Sequence, residues 1–384
     1  MFYEFPVINH ISEVKEAIKY FPDFFIAERD GFDVVNYLVN KGEETFPPVT
    51  DRKTAILREC RGMMFDKEGN LIARGLHKFF NVSEKPEVHF TKIDINAPHI
   101  ILDKLDGSMI RPVLINNEIR LVTKMGLTDV ALLAEEFIKD KPNYYELFNF
   151  MSPKGALIFE FVSRKNKIVL DYAEDALILL ALRSNETGEY VTYNTLKIVG
   201  AEFNIPVVKQ FPGSISGMDS FLETVREMKG IEGFVIAYEN GHKLKIKTDE
   251  YCLLHKTKET IATEKNVIKI LVNGGIDDLL PLLDEYDRNR VEEFAKTFWH
   301  GLNLTKHIVE YEVAKFTNFN SRKDFALYLK DDVLQQYHGL IFKGVDGKNV
   351  WEEMLKLIDN KTGSQTDVDK IRGLWGDIKW SDTK

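Results

Sequence analysis

Hydrophobic periodicity changes once along the 384-residue chain, and that change limits the fold more than any single motif. Up to about residue 255, short apolar runs are broken by Gly, Asn and Asp, the pattern of strands joined by tight turns. FFIAERDGFDVVNYLV at 24–39 reads as two strands around Asp30-Gly31. ILRECRGMMFD and NLIARGLHKFFN read as strands flanking Gly69-Asn70. IILDK, SMIRPVLIN and EIRLVTK form a further β-rich block with Asn116-Asn117 at a tip. Pro112 cannot donate to a ladder, so its strand is an edge or is bulged there. LTDVALLAEEFIKD is a helix, with Thr128 or Asp129 placed to cap it. GALIFEFVSRKNKIVL and DALILLALRS return to strand, and IEGFVIAYENGHKLKIKTDEY closes the block around Asn240-Gly241, a strong hairpin signal.

Beyond that point apolar residues recur at three- and four-residue spacing: Val291, Phe294, Phe298 and Leu302, then Val350, Met354, Leu357 and Ile358. That is helical spacing. The expected class is therefore α+β, with a strand-rich domain over 1–258 and an all-helical one over 259–384.

A hydrophobic content of 44% with 29% charged residues is globular and rules out a disordered chain. No basic leader and no eighteen-residue apolar run occur, so neither secretion nor a membrane partner is expected, and a cytoplasmic setting is. Cys60 and Cys252 alone make neither a disulfide framework nor a zinc site. The net charge of −9 argues against a uniformly basic coat but permits a local basic groove.

Several residues carry chemistry. The run Ile100–Leu102 delivers Lys104 to a strand end, and Asp106-Gly107-Ser108 then turns the chain. A lysine at such a lip presents its amine to a ligand; as a nucleophile it must shed a proton, which nearby cations or desolvation promote. On this tetrad alone a surface lysine beside a turn is the commoner case. Glu160 interrupts the apolar strand ALIFEFV, and burying an unpaired carboxylate is costly, so it has a partner or faces a cleft. If Asn240-Gly241 form a two-residue loop, Ile236 opposes Lys245 and Phe234 opposes Lys247. Period-two alternation then puts Lys243, Lys245 and Lys247 on one face, Leu244 and Ile246 on the other, and Glu232 with the lysines. Such a wall suits a polyphosphate and a divalent metal, although lysines kept for solubility also explain the alternation. In RECRG, Arg58 and Arg61 lie three apart; Arg61 could clamp a phosphate, and Phe79 or Phe80 beside Lys78 could stack on a base. His77, His89 and His99 lack metal-ligand spacing and read as structural. There is no Walker loop and no GxGxxG, so a nucleotide would not sit on either.

The order of these elements resembles the covalent nucleotidyltransferase superfamily of ligases and capping enzymes. ECRGMMF, KFFN, KLDGS, FEFV with NKIVL, NETGEY, IEGFV and KIKTDEY occur in the order, and near the spacings, of the RNA ligase 1 family of T-even-type bacteriophages, over residues 25–280. The resemblance implies an antiparallel-sheet nucleotidyltransferase (ATP-grasp-like ligase) domain followed by a helical domain that selects RNA. It makes Lys104 the residue that becomes AMP-linked, with ATP contacts at Tyr37, Arg61, Lys78, Glu160, Lys245 and Lys247. It places Glu232 in the metal-binding carboxylate motif, matches Tyr251 to a family tyrosine, and puts Asp277 and Asp278 where a paired aspartate can hold a divalent ion, although the pair can equally cap a helix. Leu105 replaces a frequently acidic residue, and TKMG at 123–126 replaces a more lysine-rich stretch.

The implied activity is ATP- and Mg²⁺-dependent joining of RNA 5′-phosphate and 3′-hydroxyl ends, in a monomer, with a broken tRNA as one such RNA. For a phage protein the setting would be the host cytoplasm. A non-catalytic RNA binder on the same fold and a DNA ligase are the alternatives. DNA ligases normally follow K-x-K with a β-rich OB barrel, whereas here the sequence turns helical.

Overall fold

The computed structural model describes residues 3–38, 45–151, 155–213, 215, 217–330 and 332–383. The chain divides into two compact units, residues 1–252 and 253–384. Among the described residues no helix is long and apolar enough to cross a membrane.

Among its described residues the first unit holds three antiparallel sheets. One has the order β1 (Phe24–Arg29), β2 (Phe32–Tyr37), β3 (Met63–Phe65), β4 (Leu71–Ala73). Arg29 pairs with Phe32 across Asp30-Gly31, as the turn signal requires. Val39, the last residue of the expected second strand, lies outside the described residues. The next sheet contains β5 (His99–Lys104), and the third contains β6 (Ser108–Ile115), β7 (Glu118–Val122), β8 (Gly155–Val162) and β9 (Ala176–Ser184) in the order β7-β6-β8-β9. β10 (Gly233–Tyr238) and β11 (Lys243–Lys247) complete the middle sheet, β11-β10-β5. Asn116 and Asn117, both at positive φ, form the β6–β7 turn. β6 pairs with β8 only over Ser108–Ile110, so Pro112 sits where one flank of its strand carries no ladder.

Helices of this unit are α1 (Ile11–Ile18), α2 (Arg52–Glu59), α3 (Asp129–Ile138), α4 (Pro142–Met151), α5 (Tyr193–Glu202) and α6 (Met218–Glu227). Thr128 caps α3 through its side chain. Only α3 is legible from the sequence pattern. Ile56–Glu59, expected in a strand, is the last turn of α2, because Asp51 caps that helix and Thr54 reciprocates. β3 and β4 are three residues each, shorter than the runs around Gly69-Asn70 imply. NKIVL is not strand either: its Val169 and Leu170 amides bind the Asp106 carboxylate instead of a ladder.

The middle sheet separates two cores. Phe234, Ile236, Leu244, Ile246 and Ile101 pack with α1, α2 and α6, and full burial of an aliphatic chain contributes about 1.5–3 kcal/mol. The opposite face, with Leu102, Val235 and Ala237, packs against Ile178 and Leu180 of β9. A β-bulge at the Ile158/Phe159 step leaves Leu180 without a partner on β8. Glu59 at the end of α2 is 2% exposed and takes two 3.0 Å bonds from Arg183 of β9, which anchors the chain just before Arg61.

The second unit is all-helical. α7 (Asp249–Ile261) begins in the first unit and ends in the second, followed by α8 (Glu264–Val272), α9 (Ile276–Leu279) and the 31-residue α10 (Glu285–Lys315). Val291, Phe294, Phe298 and Leu302 of α10 are buried with Met354, Ile358 and Trp375, as their spacing requires.

Candidate active site

The β10–β11 register is offset by one residue from the two-residue-loop expectation. Phe234 pairs with Ile246, Val235 with Lys245 and Gly233 with Lys247. The loop contains three residues, Glu239-Asn240-Gly241, with Tyr238 N–H donating to His242 O (2.9 Å) and Gly241 N–H donating to Tyr238 O (2.9 Å). Gly241 takes the left-handed φ of +86° that such a three-residue loop needs. Alternation within β11 is unaffected by register, so Leu244 and Ile246 are buried at 1% and 4% exposure while Lys243, Lys245 and Lys247 share the other face.

With the true register, strict alternation would put Glu232 on the core side with Phe234. Gly233 prevents this: its φ of +143° breaks the strand geometry and turns Glu232 to the lysine face. A Cβ at Gly233 would lie 1.9 Å from Ile246 O, so no other residue fits. The Glu232 carboxylate, 3% exposed, receives Lys104 Nζ at 2.7 Å and Lys247 Nζ at 3.0 Å. Gly233 also pairs with Lys104 on β5, so Lys104, Gly233 and Lys247 form one rung across three strands.

A cavity of about 280 Å³ opens beside this rung, and its lining includes Lys104, Tyr37, Arg61, Lys78, Glu160 and Lys245. Segment 80–82 brings Lys78 and Phe79 there by pairing with the free edge of β11: Lys245 N–H donates to Phe80 O and Val82 N–H to Lys245 O, both at 3.0 Å. Phe79 lines the cavity, whereas Phe80 is buried in the core. Arg61 is in the cavity wall; Arg58 is turned inward, 2% exposed, onto Glu87 (2.7 Å) and the Phe80 ring. Lys78 lies over the rings of Phe80 and Tyr37. In TKMG, Lys124 Nζ lies 6.0 Å from the Tyr37 ring centroid.

Burial tunes this group. Glu160 is raised to about 7 by desolvation, against the pull of Lys104. Lys245 is pushed down to about 7, chiefly by burial and then by Lys78, and Lys78 itself is lowered by burial.

Asp106, which the sequence shows only as a turn residue, fixes the chain just after Lys104. It is 4% exposed. Its Oδ2 accepts from Val169 and Leu170 amides (2.8 and 2.7 Å), and its Oδ1 accepts from Tyr251 Oη at 2.6 Å. Its own N–H donates to Tyr172 Oη (2.9 Å). Tyr251 lies under Lys247, whose Nζ is 4.7 Å from the ring centroid. Short spacing could not reveal this latch, because its partners lie 63 to 145 residues away. Asp277 and Asp278 belong to the helical unit, exposed in the first turn of α9. His89 caps a short turn and His99 bonds Ala97 O, both structural contacts, whereas His77 bonds Tyr190 and also lines the cavity.

A lysine at a strand end, held by a buried carboxylate beside a cation-lined cavity, has the groups that covalent capture of a phosphoryl group would require. The sequence matches the family described as RNA ligase over residues 59–251, and the T4 RNA ligase 1 C-terminal domain over residues 258–361. The chain belongs to the RNA ligase family. It is 29% identical over 186 residues to a Thermovibrio ammonificans protein named "Putative RNA ligase", covering 47% of each chain. RNA ligase 1 of bacteriophage TS2126 is 26% identical over 205 residues, covering 50% of each. An archaeal ATP-dependent RNA ligase structure aligns with a TM-score of 0.44 at 16% identity, over 74% of this chain and 75% of that one. The chain spans about half the length of these two curated relatives.

Proposed function

We propose that the protein joins RNA 5′-phosphate and 3′-hydroxyl ends at the expense of ATP, with Lys104 as the nucleophile. The observation that carries this reading is the rung of Lys104 and Lys247 around Glu232, at the mouth of a cavity lined by Arg61, Lys78, Glu160 and Lys245.

Lys104 Nζ, once deprotonated, attacks the α-phosphorus of ATP. The N–P bond forms as the bond to pyrophosphate breaks, and the leaving group carries away the negative charge. The lysyl-AMP phosphoramidate then yields AMP to an RNA 5′-phosphate oxygen, and Lys104 recovers its electron pair. Finally an RNA 3′-hydroxyl, losing its proton, attacks the activated phosphorus and expels AMP. Lys245, Lys247 and Arg61 offset charge on the phosphoryl oxygens, which is the main source of rate in phosphoryl transfer. Glu160 accepts a hydrogen bond from a ribose hydroxyl.

Mg²⁺ is bound in such sites by one or two carboxylates together with phosphates and water. Glu232 with Glu160 fits that modest requirement, and the ion would neutralise phosphate charge when bound. Asp277 and Asp278 are a second carboxylate pair that could hold a divalent ion.

The helical unit has an open cavity of about 510 Å³ lined by residues that include Asn303, Lys306, Glu310, Lys348 and Trp351. α10 also carries the half-buried Lys306 and the exposed His307 and Tyr311. The helical unit selects structured RNA, of which a broken tRNA is the chemistry-matched case, since such RNA is read by shape, phosphates and splayed bases. The working form is a monomer in the cytoplasm.

Incubation with α-labelled ATP, followed by sealing of 5′-phosphorylated single-stranded RNA, tests the reading. Covalent label on the protein and joined RNA are expected. RNA binding with no label would instead identify a non-catalytic binder on this fold.

A further inference from the structure

The cavity has two chemically different ends. One is the cationic rung of Lys104 and Lys247. Four rungs further along the sheet, roughly 13 Å away at strand spacing, Lys243 pairs with Ala237, which pairs with Ile100. Between the ends Leu102, Leu180, Val208 and Val235 form an apolar wall, with Lys245 beside Val235. Such a slot accepts a flat ring and leaves only its edge for polar contacts. The polar side chains at the far end are Lys243 and His77, both in the cavity lining.

Tyr190 fixes both. The backbone N–H of His77 donates to Tyr190 Oη at 3.2 Å, and the Tyr190 hydroxyl shares a 2.9 Å hydrogen bond with His77 Nδ1, which accepts in the tautomer that carries its ring hydrogen on Nε2. That tautomer leaves an Nε2–H donor on a side chain that is 2% exposed. Burial holds His77 well below its ordinary range, so it stays neutral. Lys243 Nζ lies 4.1 Å over the Tyr190 ring, with a long 3.5 Å bond to Gly241 O. Burial pushes Lys243 down to about 7. A half-buried amine with so little hydrogen bonding from the protein is an unmet donor at the end of a ring-shaped slot.

We propose that His77 and Lys243 are specificity-determining residues that read the nucleobase, donating to ring-nitrogen acceptors on its edge. The inference rests on the nucleotide reading above and names how the base is chosen. A site built around donors rejects analogues that lack the acceptor, because the buried donor is then left unpaired.

The test measures lysyl-nucleotide formation by the full chain with ATP and with its 1-deaza, 3-deaza and 7-deaza analogues. At least one analogue should lower kcat/KM by about 10-fold in the unmodified protein. That penalty should shrink below about 3-fold in Lys243→Met or His77→Phe, while inhibition by inorganic tripolyphosphate stays unchanged. Lys243→Gln and His77→Asn serve where the first variants fail to fold. Equal use of all three analogues by the unmodified protein would overturn the proposal. So would variants that slow ATP and every analogue alike, since that is a structural loss. If ATP itself gives no lysyl-nucleotide, the nucleotide reading fails first, and this inference falls with it.

Discussion

Lys104 and Lys247 occupy the same rung of one sheet, on opposite flanks of β10, with only Gly233 between them. Neighbouring strands are about 4.8 Å apart, so the two backbones stand roughly 10 Å from each other. Glu232 closes that gap by accepting from both ammonium groups. The rung explains why a glycine precedes the apolar strand: a side chain there would strike the backbone of β11 and separate the two lysines.

Lys104→Ala should abolish covalent labelling by α-labelled ATP, since the phosphoramidate needs that nitrogen. Sealing of RNA that already bears a 5′-adenylate should persist. Label found on another lysine in the variant would show that Lys104 is not the nucleophile.

Gly233→Ala should destabilise the protein by more than about 2 kcal/mol, because the added Cβ meets Ile246 O at 1.9 Å and φ is +143°. Denaturant unfolding measures this. A loss under about 0.5 kcal/mol would mean that the β10–β11 approach is looser than described.

Glu160→Gln should stabilise the fold at pH 8 by about 1–3 kcal/mol while impairing nucleotide transfer. The folded-state pKa is raised from 4.5 to about 7, so the folded state holds its proton more tightly than the unfolded chain. Stability therefore falls as pH rises from 4.5 to 7, and the penalty is fully present above 7. Thermal unfolding at pH 4.5 and pH 8 should show the gain only at the higher pH.

Lys245 should give nucleotide capture an alkaline limb. Its pKa of about 7 means that it loses charge, and hold on the polyphosphate, as pH rises through 7 in the free protein. In Lys245→Arg the cation persists, so the limb in kcat/KM between pH 6 and 9 should move up by at least one unit. An unchanged limb would assign it to another group.

Removal of the helical unit after Ile261 should leave adenylylation of Lys104 intact, because the two units have separate cores. Joining of a broken tRNA should fall far more than joining of short unstructured RNA. Equal losses on the two would reject a selecting role for the helices.

Sequence by itself determined what depends on neighbours along the chain. Lys243, Lys245 and Lys247 had to share a face opposite Leu244 and Ile246, because side-chain alternation holds within one strand whatever that strand pairs with. The change from strand to helix near residue 255, the Thr128 cap and the Asn116-Asn117 turn were legible for the same local reason, and the motif order from Lys104 to Lys247 pointed to the family. Tertiary structure decided whatever depends on contacts between distant segments. The β10–β11 register followed from a three-residue loop closed by hydrogen bonds, so the two-residue expectation misplaced every cross-strand partner by one. Glu232 reached the lysine face because Gly233 left the strand conformation, not because of alternation. The strand expected at Ile56–Glu59 became helix through the Asp51–Thr54 cap. Asp106, Tyr251 and Tyr172 met across up to 145 residues, and His77 and Lys243 came together at Tyr190, because packing of distant segments brings such groups within hydrogen-bond or ring-contact range and no periodicity records it.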